Sequence, residues 1–379
     1  MGRYAPLRTL FLSSSKRLFA SGATTLYRAG SGSNALPFAV QYLMKSCGLP
    51  LDSALSAASK LRELGRDDTE KPDSVISYLR SCGFNKTHIA ALVGKQPIVL
   101  SMNVDRILKP KIQFLSEIGL PRDLVVNVII RNPQVMSRSL DAHIKPRCEL
   151  LLEYCKDADT LAAALWRCSQ LLVHVDNGRF GRNVECLIES GMPKDKISRL
   201  IGMQPRVLLH SSDWMVWVTK FVKGLGFDPK ALMFGHAVCV MASMTEATWR
   251  KRIDIFKSIG WSEEEVFVMF RRQPYCLASS KDKLLRVVDF FVNTVEIELK
   301  ALVGRPHLLL YGIDKRLRPR YKVIKALASK NLLSEKKNVL TLFALGEKKF
   351  VKNYIAKYKD DVPGLMDMYL GVDAMKKGK

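Results

Sequence analysis

Between Val104 and Pro133 apolar side chains recur at helical spacing in two short runs. Ile107, Leu108, Ile112, Leu115 and Ile118 fall three or four residues apart and lay one stripe along a helix. Gly119 stops that helix, because glycine tolerates a left-handed backbone. Pro121 opens a second helix where its missing N–H is not needed, Asp123 sits at the positive end, and Leu124, Val125, Val128 and Ile129 form the buried side. Asn132-Pro133 ends it, since proline disfavours helical geometry in the residue before it. The apolar residues after the proline then tuck into the core as one tight turn. The pattern predicts two helices and a turn, followed by the next long helix.

The same marks recur along the chain. Gly83 leads by fourteen residues to Pro97-Ile98-Val99-Leu100, and thirteen further on stands Lys109-Pro110-Lys111. Gly119, Pro133-Gln134-Val135-Met136 and Lys145-Pro146-Arg147 repeat those intervals thirty-six residues later. Gly191 leads to Pro205-Arg206-Val207-Leu208, Gly260 to Pro274-Tyr275-Cys276-Leu277, and Pro306-His307-Leu308-Leu309 reaches Pro319 in thirteen. Three positions are degenerate: Cys155 stands where glycine is expected, Ser169 where proline is, and Val238 replaces proline two residues early in the copy that starts at Gly226. Gly48-Leu49-Pro50 marks an earlier half-copy. A period of this length implies roughly eight stacked units, each supported by its neighbours, in an all-α solenoid. Pro110, Pro146 and Pro319 fall near the start of the longer helix, where they occupy its first turn or bend it.

Charge changes the picture at the N-terminus. No Asp or Glu precedes Asp52, while Arg3, Arg8, Lys16, Arg17 and Arg28 are spread among serines and threonines with Leu10-Phe11-Leu12 and Leu18-Phe19 between them. That is the composition of an organelle transit peptide over residues 1–34, mitochondrial rather than chloroplast because arginine is plentiful. The repeat region follows over 35–370, then a basic tail over 371–379. Without the five positive charges of residues 1–34 the formal charge of +24 becomes +19, a balance that points to nucleic acid as partner. No apolar run is long enough to span a bilayer, and no membrane association is expected.

Little supports catalysis or a cofactor. The eight cysteines form no C-x-x-C pair and the six histidines no H-E-x-x-H, so no metal site is expected and the cysteines read as small buried hydrophobes in a reducing compartment. There is no Walker loop, no G-x-G-x-x-G opening a helix and no G-x-S-x-G. Glu263-Glu264-Glu265 after Trp261-Ser262 reads as a helix cap. Trp214, Trp217, Trp249 and Trp261 can stack on bases, but a tryptophan at helical spacing is more often core.

The basic residues keep phase with the repeat. Twelve residues past each proline, or its stand-in, lie Lys109, Lys145, Gly181, Trp217, Arg250, Arg286 and Arg318; fourteen past lie Lys111, Arg147, Asn183, Thr219, Arg252, Val288 and Arg320. Side chains in fixed phase with a solenoid fall on one line, so Lys109, Lys111, Lys145, Arg147, Arg250, Arg252, Arg286, Arg318 and Arg320 are expected to form a stripe that tracks a phosphate backbone. Arg179, Arg182 and Lys220 lie near the two copies where the cations are missing and are expected to compensate from a neighbouring turn, with Arg182 counted among the nucleic-acid-binding residues.

The period, the glycine-to-proline spacing and the Lys-Pro-Lys, Lys-Pro-Arg and Arg-Pro-Arg steps resemble the mitochondrial transcription termination factor (mTERF) family over about residues 38–370. Phe38-Ala39-Val40-Gln41-Tyr42-Leu43, Lys71-Pro72-Asp73-Ser74-Val75 and the tail from Phe350 to Leu365 are similar to its plant branch. The resemblance implies a superhelical array whose concave basic face holds DNA or RNA, acting in transcription, its termination, or transcript splicing, as a monomer alongside organellar transcription or splicing proteins. Two alternatives are a pentatricopeptide-like RNA reader, which would lack the fixed prolines, and a scaffold of the HEAT or tetratricopeptide kind, which would bind acidic proteins and ignore oligonucleotides.

Overall fold

The computed structural model describes residues 36–61, 65, 69–174, 178–333 and 338–371. The segment assigned to a transit peptide, and all of the basic tail except Gly371, lie outside the described residues. Every regular element among those described is helical. The unit is the expected one: a first helix, a second helix, then a single turn that begins at the proline.

The second helices Lys86–Lys95, Arg122–Arg131, Ala158–Arg167, Lys194–Met203, Leu232–Ala242 and Glu263–Arg272 pack on one another in chain order. Their apolar sides meet the first helices and the turns in one continuous core. Leu108 and Leu115 from a first helix, Leu124, Val128 and Ile129 from a second, and Val135 and Met136 from a turn are all essentially solvent-free. Each such side chain contributes about 1.5–3 kcal/mol by leaving water. Within the turn the residue after the proline points outward: Ile98 is 51% exposed, while Val99 and Leu100 are buried.

The turn is favoured by its proline. The residue before it, Gln96, Asn132, Gln204, Gln273 or Arg305, leaves the helix with φ between −129° and −152°, and Cys168, which precedes Ser169 instead, takes the same conformation at −147°. At Ser169 the turn survives as Leu171–His174, with the Asn132 amide donating to the Ser169 hydroxyl at 2.6 Å. At Val238 it does not: the helix Leu232–Ala242 runs straight through, because neither a proline nor a pre-proline residue interrupts it.

The other punctuation is equally local. Gly83 ends its helix at φ +98°, and a Cβ there would sit 2.7 Å from Arg122 Nε, whose guanidinium donates to the Cys82 and Ser81 carbonyls. Where Cys155 replaces glycine the chain instead leaves the helix in extended conformation. Glu263-Glu264-Glu265 does cap its helix, with Ser262 and Glu265 forming a reciprocal capping box.

Pro110, Pro146 and Pro319 each follow a π-helical turn, Val104–Leu108, Leu140–Ile144 and Ile313–Leu317. The wider turn bonds Leu108 N–H back to Asn103, Ile144 to Ser139 and Leu317 to Gly312, so the ring enters just after a stretch already spaced to receive it. The first helices without this proline, Arg179–Glu189, Ser212–Gly224, Glu246–Ile259 and Lys281–Asp289, start as regular α-helix.

Six cysteines are buried, and Cys82 and Cys186 are half-buried. Burial pushes the thiols of Cys148 and Cys276 up to about 12 and that of Cys155 up to about 11. Alkylation at pH 8 followed by mass spectrometry is therefore expected to label Cys82 and Cys186 first, and the remaining six only on unfolding. Prompt labelling of Cys276 in the folded protein would contradict this packing.

Candidate nucleic-acid interface

The predicted stripe divides into two sets. Of the cations fourteen residues past the proline, Lys111, Arg147 and Arg320 are buried, at 5%, 2% and 0% exposure. Each reaches into the following unit. Lys111 Nζ donates to the Met136 carbonyl, and Arg147 donates to Leu172 O at 2.6 Å. Arg320 donates to Phe343 O at 2.9 Å and to Leu345 O, pairs with Glu347 at 2.9 Å and lies 4.6 Å over the Phe350 ring. Half-buried Arg252 does the same to Ser279 O. In one of the three copies without a cation Asn183 takes over, donating to Leu208 O at 3.0 Å and His210 O at 2.8 Å.

In four copies the acceptor lies twenty-five residues beyond the donor, at Met136, Leu172, Leu208 and Leu345; in three of them it closes the next apolar turn. Lys111, Arg147 and Arg320 are thus corrected from surface phosphate ligands to internal clamps. Their donors satisfy carbonyls that a short turn leaves unpaired, and burial pulls the Lys111 ammonium below the usual lysine range.

The cations twelve past the proline are at the surface. Lys109, Arg250, Arg286 and Arg318 are exposed and Lys145 half-exposed, each in the first turns of its helix, and Arg182 is exposed one repeat after Lys145. Four of them lie against a carboxylate four residues earlier: Lys109 to Asp105 at 3.8 Å, Lys145 to Asp141 at 2.6 Å, Arg250 to Glu246 at 2.6 Å and Arg318 to Asp314 at 3.3 Å. Arg286 bends back to the backbone carbonyl of Asp282 at 3.4 Å. The acids stand in the first turns, where the helix dipole favours them. The Asp141 hydrogen bond pushes Lys145 above its ordinary value. All four pairs are solvent-exposed and add little to stability.

The tryptophans also divide. Trp249 and Trp261 are core, at 5% and 2% exposure. Trp214 and Trp217 are half-buried and stack in a column with Phe221, centroids 4.7 and 5.1 Å apart. Trp217 occupies the place of a cation in the exposed row, beside a cleft of about 430 Å³ that Arg250 also lines. Among the described residues no group of three His, Cys, Asp or Glu side chains could hold a metal ion. No described helix is long and apolar enough to cross a membrane.

Comparison with known proteins agrees with the repeat. The mTERF family model matches residues 62–234 and 231–351. The chain is 20% identical over 139 residues to the chloroplastic transcription termination factor MTERF8 of Arabidopsis thaliana, an alignment covering 37% of this chain and 28% of that protein. The chain thus spans under a third of the relative it matches. With the family model covering most of the repeat region, this chain belongs to the mTERF family.

Proposed function

We propose that this protein binds nucleic acid inside an organelle and regulates expression of that organelle's genome, without catalysis of its own. Membership of the mTERF family supports the nucleic-acid role. The acid-free, arginine-rich N-terminus and the chloroplastic relative both support an organelle, with mitochondrion the reading from the N-terminal composition. The array is read as a superhelix that lays successive first helices along the ligand. Occupancy of a DNA or RNA segment then acts on transcription, its termination, or transcript maturation; termination is the activity in the relative's name.

One observation carries the residue-level reading. Lys109, Lys145, Arg182, Arg250, Arg286 and Arg318 stand near the starts of first helices, interrupted only at Ser212–Gly224, where Trp217 takes the place, and the acidic partners of Lys109, Lys145, Arg250 and Arg318 are exposed enough to be exchanged for phosphate. Exchanging Lys109, Lys145, Arg250, Arg286 and Arg318 for glutamine is expected to lower the slope of log affinity against log salt by about four to five, near one per contact. Fluorescence anisotropy with labelled duplex DNA and RNA over a salt series measures it. An unchanged slope would remove this row from the interface.

A further inference from the structure

A second basic row lies where the second helices end, and its chemistry differs from the first. Two residues before the proline turns stand Lys95, Arg131, Arg167 and Arg272, and one residue past the proline of another turn stands Arg206, all exposed. Three reach across to the next unit: Lys95 Nζ donates to Ile130 O at 3.0 Å, Arg131 to Trp166 O at 3.5 Å and Arg272 to Gly304 O at 2.9 Å. Arg206 makes no hydrogen bond or ion pair among the described residues.

No Asp or Glu occupies the positions two before, one before or one after the start of any of the six turns. None of these five cations is in an ion pair among the described residues. Across three successive turns Lys95, Arg131, Gln134 and Gln170 line an open cleft of about 360 Å³.

The helix dipole explains a cation at a helix end. It does not require carboxylates to be kept off the whole edge, and the first-helix row carries one beside nearly every cation. An arginine tied by one donor keeps others free and has already lost much of its rotamer freedom, which favours capture of an anion.

We propose that this turn edge is a second phosphodiester-binding track, in which Lys95, Arg131, Arg167, Arg206 and Arg272 meet backbone phosphates, while Gln134 and Gln170 face the sugars and bases between them. It rests on the nucleic-acid reading above but assigns different residues. A ligand spanning both rows is held on two sides, with the acid-free edge supplying the stronger local field.

The test uses the full chain and two probes, a labelled duplex DNA of thirty base pairs and a thirty-nucleotide RNA, read by anisotropy from low to physiological salt. The variant K95Q/R131Q/R167Q/R206Q/R272Q is expected to bind at least about tenfold more weakly, with a salt slope lower by about four on duplex and about three on single strands. Because three of the changes remove a contact to a carbonyl of the next unit and R167Q removes one to Ala163 O of its own helix, two companions separate binding from folding. R206Q alone touches no protein partner and is expected to lower the slope by about one; the charge-keeping K95R/R131K/R167K/R206K/R272K is expected to recover most of the affinity. An edge variant that binds both probes like the parent, while the first-helix glutamine variant weakens, overturns this track and leaves the nucleic-acid reading intact. If the parent binds neither probe, both readings fall. Weakening confined to one probe identifies whether DNA or RNA occupies the edge.

Discussion

Replacing Arg320 by alanine is expected to destabilise the chain by about 3–5 kcal/mol, the loss expected when a wholly buried large side chain leaves a cavity and strands the carbonyls it served. The guanidinium is wholly buried and satisfies the Phe343 and Leu345 carbonyls as well as Glu347. Without it those carbonyls lose their donor, the Phe350 ring loses the planar cation above it, and a cavity opens between two units. Glu347 would keep only the Tyr369 hydroxyl, which with Arg320 holds its carboxyl below the usual range. Arg320→Lys is expected to recover a minor part, because a point ammonium cannot bridge two carbonyls and a carboxylate as a planar fork does. The control is two residues away. Arg318 carries the same charge, but its pair with Asp314 is 58% and 83% exposed, so Arg318→Gln is expected to cost no more than about 0.5 kcal/mol. Urea unfolding of the three variants gives the comparison. Equal midpoints for Arg320→Ala and Arg318→Gln would mean that the clamp between units does not hold the array together.

The contrast between Arg318 and Arg320 also shows how far the sequence could be read. Backbone punctuation was legible, because glycine at positive φ and the residue before a proline each restrict geometry by themselves, as at Gly83 and Asn132. The fate of the degenerate marks was not. Ser169 keeps its turn through a hydroxyl that accepts from Asn132, while Val238 is absorbed into a helix, and a single sequence does not distinguish the two. The π-helical starts before Pro110, Pro146 and Pro319 were foreseen only as a bend or a first-turn placement. The stripe splits into two sets for a geometric reason. At 3.6 residues per turn, positions two apart lie on nearly opposite sides of a helix, so the residues twelve and fourteen past the proline cannot share one face. One set had to turn inward, and the inward set met carbonyls of the next turn. The acids were legible but uncounted: eight residues past the proline stand Asp105, Asp141, Asp213, Asp282 and Asp314, with Glu246 eight past Val238.

Those acids lead to the second large effect. Converting Asp105, Asp141, Asp282 and Asp314 to asparagine and Glu246 to glutamine is expected to tighten nucleic-acid binding about ten- to a hundredfold at low salt. A carboxylate within a few ångströms of a phosphate opposes it by about 0.5–1 kcal/mol in water, and five such terms, partly screened, give about 1.5–3 kcal/mol. Asp105, Asp141 and Asp314 are at least 80% exposed, so a phosphate meeting Lys109, Lys145 or Arg318 also meets a carboxylate four residues away. The gain should be largest for non-target sequences, whose binding is almost wholly electrostatic. Specificity is then expected to fall as affinity rises, giving the acids a discriminating role beyond starting a helix. Stability moves the other way, since each change removes a favourable dipole interaction and, in four cases, an i,i+4 pair. A modest loss in urea midpoint together with tighter, less selective binding is the expected signature in anisotropy and unfolding measurements. The same stability loss with unchanged affinity would place the ligand away from the first-helix row and leave the acid-free turn edge as the surface that carries it.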